Sequence, residues 1–324
     1  MTLLYPKSRD EWLSMRHRYI GSTDSPALFD CGYSTRLQLY YEKLADAPTA
    51  FEATERMEFG LINQRGIATY IARKYGIKVR ALNALAVLDS RMSSSFDYEI
   101  IGEDSTVKDV EDDSLRLMYR DKGPGLLEIK NVDWMVFRDE WPKTDGGYEA
   151  PPQIEIQMQH ELHTIDRSWG CLGVCVGGNR LEMLIRTRNE DVGQLIAARV
   201  KLFWHWIERK EPPPERMPED YDLLKQVYSH AEPGKVLDAT DKPQINTLLK
   251  AYALANAQIA RYEAAKKVAH ADLLKLIGDA EKVIGTEYNV SCSVVAPARI
   301  EAHDRAGYRT FRVTARKVKK DAPL

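Results

Sequence analysis

The sequence has no uninterrupted apolar run of 18 residues, so no segment is expected to cross a bilayer as a helix. Cysteine is sparse. Cys31, Cys171, Cys175 and Cys292 are scattered without a framework spacing, which argues against a disulfide-stapled fold and suits a reducing bacterial or phage-infected cytoplasm. The opening residues, MTLLYPKSRDEWLSMRHR, lack an apolar core followed by a small-residue cleavage site, so no secretory leader is expected. Charge of neither sign dominates: 46 Lys and Arg face 48 Asp and Glu, and no internal repeat is evident. What is present is globular composition, 44% hydrophobic and 29% charged over 324 residues, enough for one large domain or two ordinary ones.

Charge is uneven along the chain. Between Glu103 and Asp113 stand six acids and one lysine, which read as a solvated loop. From Arg305 to Lys320 the chain is basic (Arg305, Arg309, Arg312, Arg316, Lys317, Lys319, Lys320), a stretch suited to phosphates or simply to a solvated terminal strand. Helices are expected over Arg9–Met15, Ser34–Leu44 and Arg56–Tyr75, the last closed by Gly76. β-type runs follow at Lys78–Leu88, Phe96–Ile101, Leu115–Tyr119 and Leu126–Lys130, the last two joined by Arg-Asp-Lys-Gly-Pro-Gly. After Pro151-Pro152 come a helix over Gln153–Asp166, strands near Trp169–Gly177 and Leu181–Arg186, and a helix over Asp191–Arg209. The fold class is therefore α/β, with helices around a central mixed sheet. Pro212-Pro213-Pro214 marks a boundary: residues 1–215 are read as one domain, 216–240 as a linker and 241–324 as an accessory helical and β-hairpin module. In that module Ile245, Leu248, Tyr252, Ala255, Ile259 and Tyr262 form a stripe fit to pack on another helix, followed by strands at Tyr288–Val295 and Tyr308–Lys317.

The chemistry lies in Ser95-Phe96-Asp97 and Leu127-Glu128-Ile129-Lys130. On a strand, Glu128 and Lys130 share one face while Ile129 points to the other. An aspartate on a neighbouring strand completes a pocket of two carboxylates and an ammonium. Hard Mg²⁺ takes oxygen ligands and keeps several waters, so Asp97, Glu128 and the Ile129 carbonyl make a plausible set, with Lys130 orienting a water. A Glu-x-Lys triplet alone is weak, since about one is expected by chance in a chain of this length. A second one, Glu208-Arg209-Lys210, ends a helix and reads as a solvated cluster.

The order of motifs carries more. Arg16 with Ile20-Gly21-Ser22-Thr23-Asp24, Met57-Glu58-Phe59-Gly60 with Gln64, Ser95-Phe96-Asp97, Leu127-Glu128-Ile129-Lys130 and Gln157-Met158-Gln159-His160, then Trp169 and Phe203-Trp204…Pro212-Pro213, resemble the YqaJ-type viral recombinase family, relatives of phage lambda exonuclease within the PD-(D/E)XK nuclease superfamily. Ile277-Gly278-Asp279-Ala280 in the tail is similar to an extension seen in many members. The resemblance implies a Mg²⁺-dependent deoxyribonuclease, Mn²⁺ substituting, that resects double-stranded DNA ends 5′-to-3′. The 3′ overhangs would pass to a single-strand annealing protein, and the enzyme would be a homo-oligomer, as in ring-forming relatives. It assigns metal binding to Asp97, Glu128 and the Ile129 carbonyl, and catalysis to Lys130, Gln157 and Gln64. Arg16, Thr23 and Ser95 fall where the family holds a 5′-phosphate.

Three departures stand against the family pattern. Gln64 replaces the usual glutamate, which puts a second metal in doubt; Tyr98 replaces a glycine; and the interval from Asp97 to Glu128 is long. Asp121 is a rival first carboxylate, although its Asp-Lys-Gly-Pro-Gly setting suits a turn. A poorly cutting DNA-end-binding or scaffold protein and a structure- or sequence-specific endonuclease remain the alternatives. His160-Glu161-Leu162-His163 is one residue short of a zinc-protease motif, and the Cys171/Cys175 pair sits in an apolar strand, so neither zinc nor an iron–sulfur cluster is expected. Trp134 and Trp141 are candidates for stacking on DNA, with core packing the plainer fate.

Overall fold

The computed structural model describes residues 1–47, 54–110 and 112–293. It divides into two compact units, Met1–Leu223 and Leu224–Leu324. The first begins with β1 (Thr2–Leu4), α1 (Arg9–His17) and β2 (Ile20–Gly21), then a 3₁₀ turn over Ser25–Phe29, α2 (Arg36–Leu44) and α3 (Glu55–Tyr75). Side-chain caps start these helices: the Ser8 hydroxyl accepts from the Glu11 amide, and Thr35 and Gln38 close a reciprocal capping box. Gly76, left-handed at φ 57°, ends α3 and turns the chain into β3 (Ile77–Ala81). There follow β4 (Leu85–Val87), β5 (Met92–Ser94), β6 (Tyr98–Glu103), α4 (Ser114–Lys122), β7 (Gly125–Val132), α5 (Trp134–Glu140) and the short pair β8 (Lys143–Thr144) and β9 (Gly147–Tyr148). The unit continues with α6 (Pro152–Ile165), β10 (Trp169–Val176), β11 (Arg180–Thr187) and α7 (Glu190–Arg209), and its boundary falls inside α8 (Tyr221–Val227).

The main sheet has the order β11-β10-β7-β6-β3. β7 and β10 run parallel and the other neighbours antiparallel, so the sheet is mixed. A parallel pair needs a long crossover, which the segment from α5 through α6 supplies. Both faces of β7 are covered, which explains its nearly continuous apolar start. Leu127 and Ile129 pack with Ala68, Ile71 and Tyr75 of α3, whereas Leu126 packs with Met158 and Leu162 of α6. Glu128 and Lys130, in step with Leu126, therefore face α6. A second sheet, β1-β4-β5-β2, sets Ile20–Gly21 beside Met92–Ser93 in parallel and so brings the loop after β2 near Ser95.

The β run expected at Leu115–Tyr119 is helical: it lies in α4. Leu115, Met118 and Tyr119 all pack into the core beside α3, a three-and-four spacing that one helix face satisfies and an alternating strand does not. The expected run Lys78–Leu88 is two strands in different sheets, parted at Leu82–Ala84. The Gly177–Gly178 turn between β10 and β11 takes φ 58° and 78°, as its glycines allow. Within 216–240, expected to be irregular, Asp220 is fully buried and accepts from the Arg216 amide at 2.6 Å and from the Thr35 hydroxyl.

The second unit contains α9 (Pro243–Ile277) and a hairpin of β12 (Lys282–Ile284) with β13 (Asn289–Ser291). None of the described residues of α9 is buried. The strand expected at Tyr308–Lys317 and the basic stretch 305–320 lie outside the described residues.

Gly125 opens β7 against an indole. A Cβ there would stand 2.4 Å from the Trp169 ring, which is itself tied by its Nε1 donating to the Gly123 carbonyl at 2.9 Å. Gly125→Ala should therefore destabilise the first unit by about 1–3 kcal/mol, read as a lower urea midpoint. Gly146→Ala, whose added methyl meets nothing closer than 3.9 Å, should leave the midpoint within about 0.5 kcal/mol.

Candidate active site

The first residue of β6, Tyr98, pairs opposite Leu127, so Asp97 just before it stands where the ladder stops, beside Glu128 and Ile129. Its carboxylate Oδ2 accepts from the Ile129 amide at 2.8 Å, taking over from a backbone carbonyl. Glu128 is buried on the α6 face. Its Oε1 accepts from Lys130 Nζ at 2.9 Å and from Gln157 Nε2 at 2.8 Å. Lys130 Nζ also donates to Gln157 Oε1 at 2.8 Å. Side chains distant along the chain thus meet through strand register and one helix face. Gln64 of α3 hydrogen-bonds Asp97, and both line a cavity of about 380 Å³ with Trp12 and Ser95. Asp121, the rival carboxylate, lies exposed near the end of α4.

Electrostatics mark the same point. Burial, and next the Glu128 charge, push the Asp97 carboxyl up to about 7 despite the Ile129 amide and Gln64. Burial works against the Lys130 ammonium, yet Glu128 and Glu161 outweigh it and hold Lys130 above its ordinary value. Glu128 Oε2 is buried with no hydrogen-bond partner. Two crowded carboxylates, one with an orphaned oxygen, are the environment a divalent cation relieves. Among the described residues no three His, Cys, Asp or Glu side chains gather as a metal cluster. A cation here would rest on Asp97 and Glu128 with carbonyl, amide and water oxygens, the hydrated style of Mg²⁺.

The expected phosphate residues also come together. Arg16 Nη2 donates to the Thr23 hydroxyl and, at 2.7 Å, to Asp24 Oδ1. Its guanidinium lies 5.2 Å from the centroid of the Trp12 ring, and Trp12 Nε1 donates to Ser95 Oγ at 3.0 Å. Arg16, Thr23 and Ser95 are therefore joined through Trp12, whose role the sequence reading missed. It also passed over Asp24, which burial would raise but which Arg16 and Lys43 hold at about 2, so it remains an anion that aims Arg16.

Glu161 is the larger omission. It is fully buried, accepts from Gln157 Nε2 at 2.9 Å, and is raised well above the usual carboxylate range by burial and by Glu128. Its signal was the four-residue step from Gln157, which stacks both on one helix face. His160, next to it, is fully buried with Nε2 against the Ser93 carbonyl at 3.0 Å, and burial lowers it to about 4. Trp141 is buried and stacked on Phe137, whereas Trp134 is half exposed at the end of β7.

The Asp97 shift has a thermodynamic consequence. A carboxyl whose folded pKa exceeds its unfolded value binds its proton more tightly in the fold, so its contribution to stability is present below about pH 4 and is lost as pH rises through about 7. Asp97→Asn should flatten the fall in Tm between pH 5 and 8 in metal-free buffer. Millimolar Mg²⁺ or Mn²⁺ should raise wild-type Tm more at pH 8 than at pH 5, and leave Asp97→Asn unmoved at both.

The chain is similar to several known proteins. A protein from Bacillus subtilis (strain 168), uncharacterized and named YqaJ, is 22% identical over 299 residues, covering 91% of this chain and 86% of its own. Among solved structures, the alkaline exonuclease LHK-Exo from Laribacter hongkongensis is similar at 15% identity over 67% of this chain and 97% of its own, with a TM-score of 0.45. The same exonuclease in complex with dAMP also gives a TM-score of 0.45 at 15% identity, over 67% of this chain and 96% of its own. The family model described as the YqaJ-like viral recombinase domain matches residues 11–168, from α1 through α6. That span, in which the chain is similar to this family, holds Arg16, Asp97, Glu128, Lys130 and Gln157.

Proposed function

We propose that the chain is a divalent-metal-dependent DNA exonuclease acting on the ends of duplex DNA. The observation that carries this reading is the meeting of Asp97, Glu128, Lys130 and Gln157 at one partly buried point, with an orphaned carboxylate oxygen facing no donor. Asp97, Glu128 and the Ile129 carbonyl would hold the cation, Mg²⁺ or Mn²⁺, with the Gln64 amide touching the site through Asp97. When bound, the cation supplies Lewis acidity toward the scissile phosphate.

The protein's own groups do the rest. Lys130, kept as an ammonium, is a fixed positive charge that stabilises the phosphate as negative charge develops and orients the attacking water. This differs from a lysine that deprotonates water, since its two acidic neighbours oppose loss of its own proton. Gln157 ties Lys130 to Glu128 and fixes the distance between ammonium and carboxylate. Arg16, Thr23 and Ser95 would receive a terminal 5′-phosphate, with the Arg16 fork aimed by Asp24. The 5′-to-3′ direction, the 3′ overhang, the single-strand annealing partner and a homo-oligomeric ring follow from the family resemblance. They form part of this proposal.

A second reading, a DNA-end-binding protein that cuts poorly, is favoured by one observation: Gln64, a neutral amide, stands at Asp97 where family members place an acid. Gln64→Glu separates the two, since a weak nuclease would gain metal-dependent cleavage and a competent one would change little.

The direct test is digestion of linear duplex in Mg²⁺ or Mn²⁺. Wild type should degrade linear DNA and spare closed circles. Lys130→Ala should lose activity by about a hundred- to ten-thousand-fold while still binding ends. Equal activity of wild type and Lys130→Ala would remove the mechanism, and discrete bands from closed circles would indicate an endonuclease.

A further inference from the structure

The Gln157 carboxamide has both hydrogens and its oxygen committed. Nε2 donates to Glu128 Oε1 at 2.8 Å and to Glu161 Oε1 at 2.9 Å, while Oε1 accepts from Lys130 Nζ at 2.8 Å. An amide is nearly symmetric in shape, so rotation by half a turn costs little unless its neighbours distinguish oxygen from nitrogen. Here they do. A flipped Gln157 would turn its NH₂ toward the Lys130 ammonium and its oxygen toward two carboxylates. Glu128 alone discriminates weakly, because it must also satisfy Lys130 from the same oxygen. Glu161, fully buried on the same face of α6, supplies the second acceptor. Ser22, in the loop that also carries Thr23 and Asp24, is near enough to contribute a hydrogen bond to it.

We propose that Glu161 is a positioning residue: it locks the Gln157 amide in the orientation that holds Lys130 against Glu128. This rests on the nuclease reading for its kinetic consequence, but the orientation itself is a property of the metal-free protein. Glu161 hydrogen-bonds Gln157 rather than a proposed cation ligand, and it also acts electrostatically on Lys130 and Glu128. Glutamine at 161 keeps an acceptor oxygen at the same reach, whereas leucine or methionine removes it.

The test pairs a structural readout with a kinetic one. In metal-free protein, hydrogen exchange of the Gln157 side-chain amide is followed by ¹⁵N–¹H NMR, the signal being assigned by its loss in Gln157→Ala. Exchange should quicken about tenfold in Glu161→Leu, as expected for loss of one buried hydrogen bond, and Glu161→Gln should restore most of the protection. Should Glu161→Leu fail to fold by circular dichroism, Glu161→Met, of closer length, takes its place. In the digestion assay, Glu161→Leu should lower kcat about tenfold with little change in KM for DNA ends. The double variant Gln157→Ala/Glu161→Leu should be no slower than Gln157→Ala. Unchanged amide exchange in Glu161→Leu, or Glu161→Gln as damaging as leucine, overturns the proposal. So does an additive double variant. A wild type that protects Gln157 yet cuts no DNA removes the nuclease reading and leaves the positioning role standing.

Discussion

Asp97 and Glu128 are brought together against their mutual repulsion, in surroundings that strip them of water. Burial, and next the Glu128 charge, are why the Asp97 carboxyl moves up to about 7. The fold secures them with a neutral donor and a cation. The Ile129 amide serves Asp97, and Lys130, steadied by Gln157, serves Glu128. Strain at this point is held by the packing of β7 between α3 and α6, which fills both faces of the strand and leaves little room for either acid to withdraw. A carboxyl shifted this far by burial and a like charge is the kind of group that functional sites concentrate.

A second group of contacts connects this pocket to the N-terminal loop. β2 pairs with β5, and the chain passes from β5 to Ser95 and Asp97 within a few residues. The Arg16 side that would hold a terminal phosphate and the carboxylates that would act on the adjoining linkage are therefore built from one short stretch and its sheet neighbour. Trp12 joins them physically, lying near Arg16 and donating to Ser95. On the opposite side, α6 contributes Gln157 and Glu161 in successive turns. In the proposed function, the groups for end recognition and those for hydrolysis would thus share one small sheet and one helix.

Much of this was legible along the chain. Strand alternation puts Glu128 and Lys130 on one face, as the described structure has them, although the triplet by itself is weak. Gln157 follows from its family motif. The parts that were not legible depended on tertiary context. Leu115–Tyr119 has β-type composition, and only the presence of α3 to receive Leu115, Met118 and Tyr119 decides for a helix. Lys78–Leu88 looks continuous because nothing in its composition announces that Leu82–Ala84 leaves one sheet for another. Glu161 was hidden inside a motif resembling a zinc site, and its true neighbours, Gln157 and Glu128, lie on the same helix face and on a different strand. Asp24 carries no separate signal within Ile20-Gly21-Ser22-Thr23-Asp24, because its partners Arg16 and Lys43 meet it only in the fold.

The most direct measurement is anomalous diffraction from crystals soaked in Mn²⁺. The expected result is one strong peak about 2.0–2.3 Å from carboxylate oxygens of both Asp97 and Glu128, lost in Asp97→Asn crystals soaked alike. A map with no peak between these two side chains, at a manganese concentration that supports DNA digestion, would contradict the central claim.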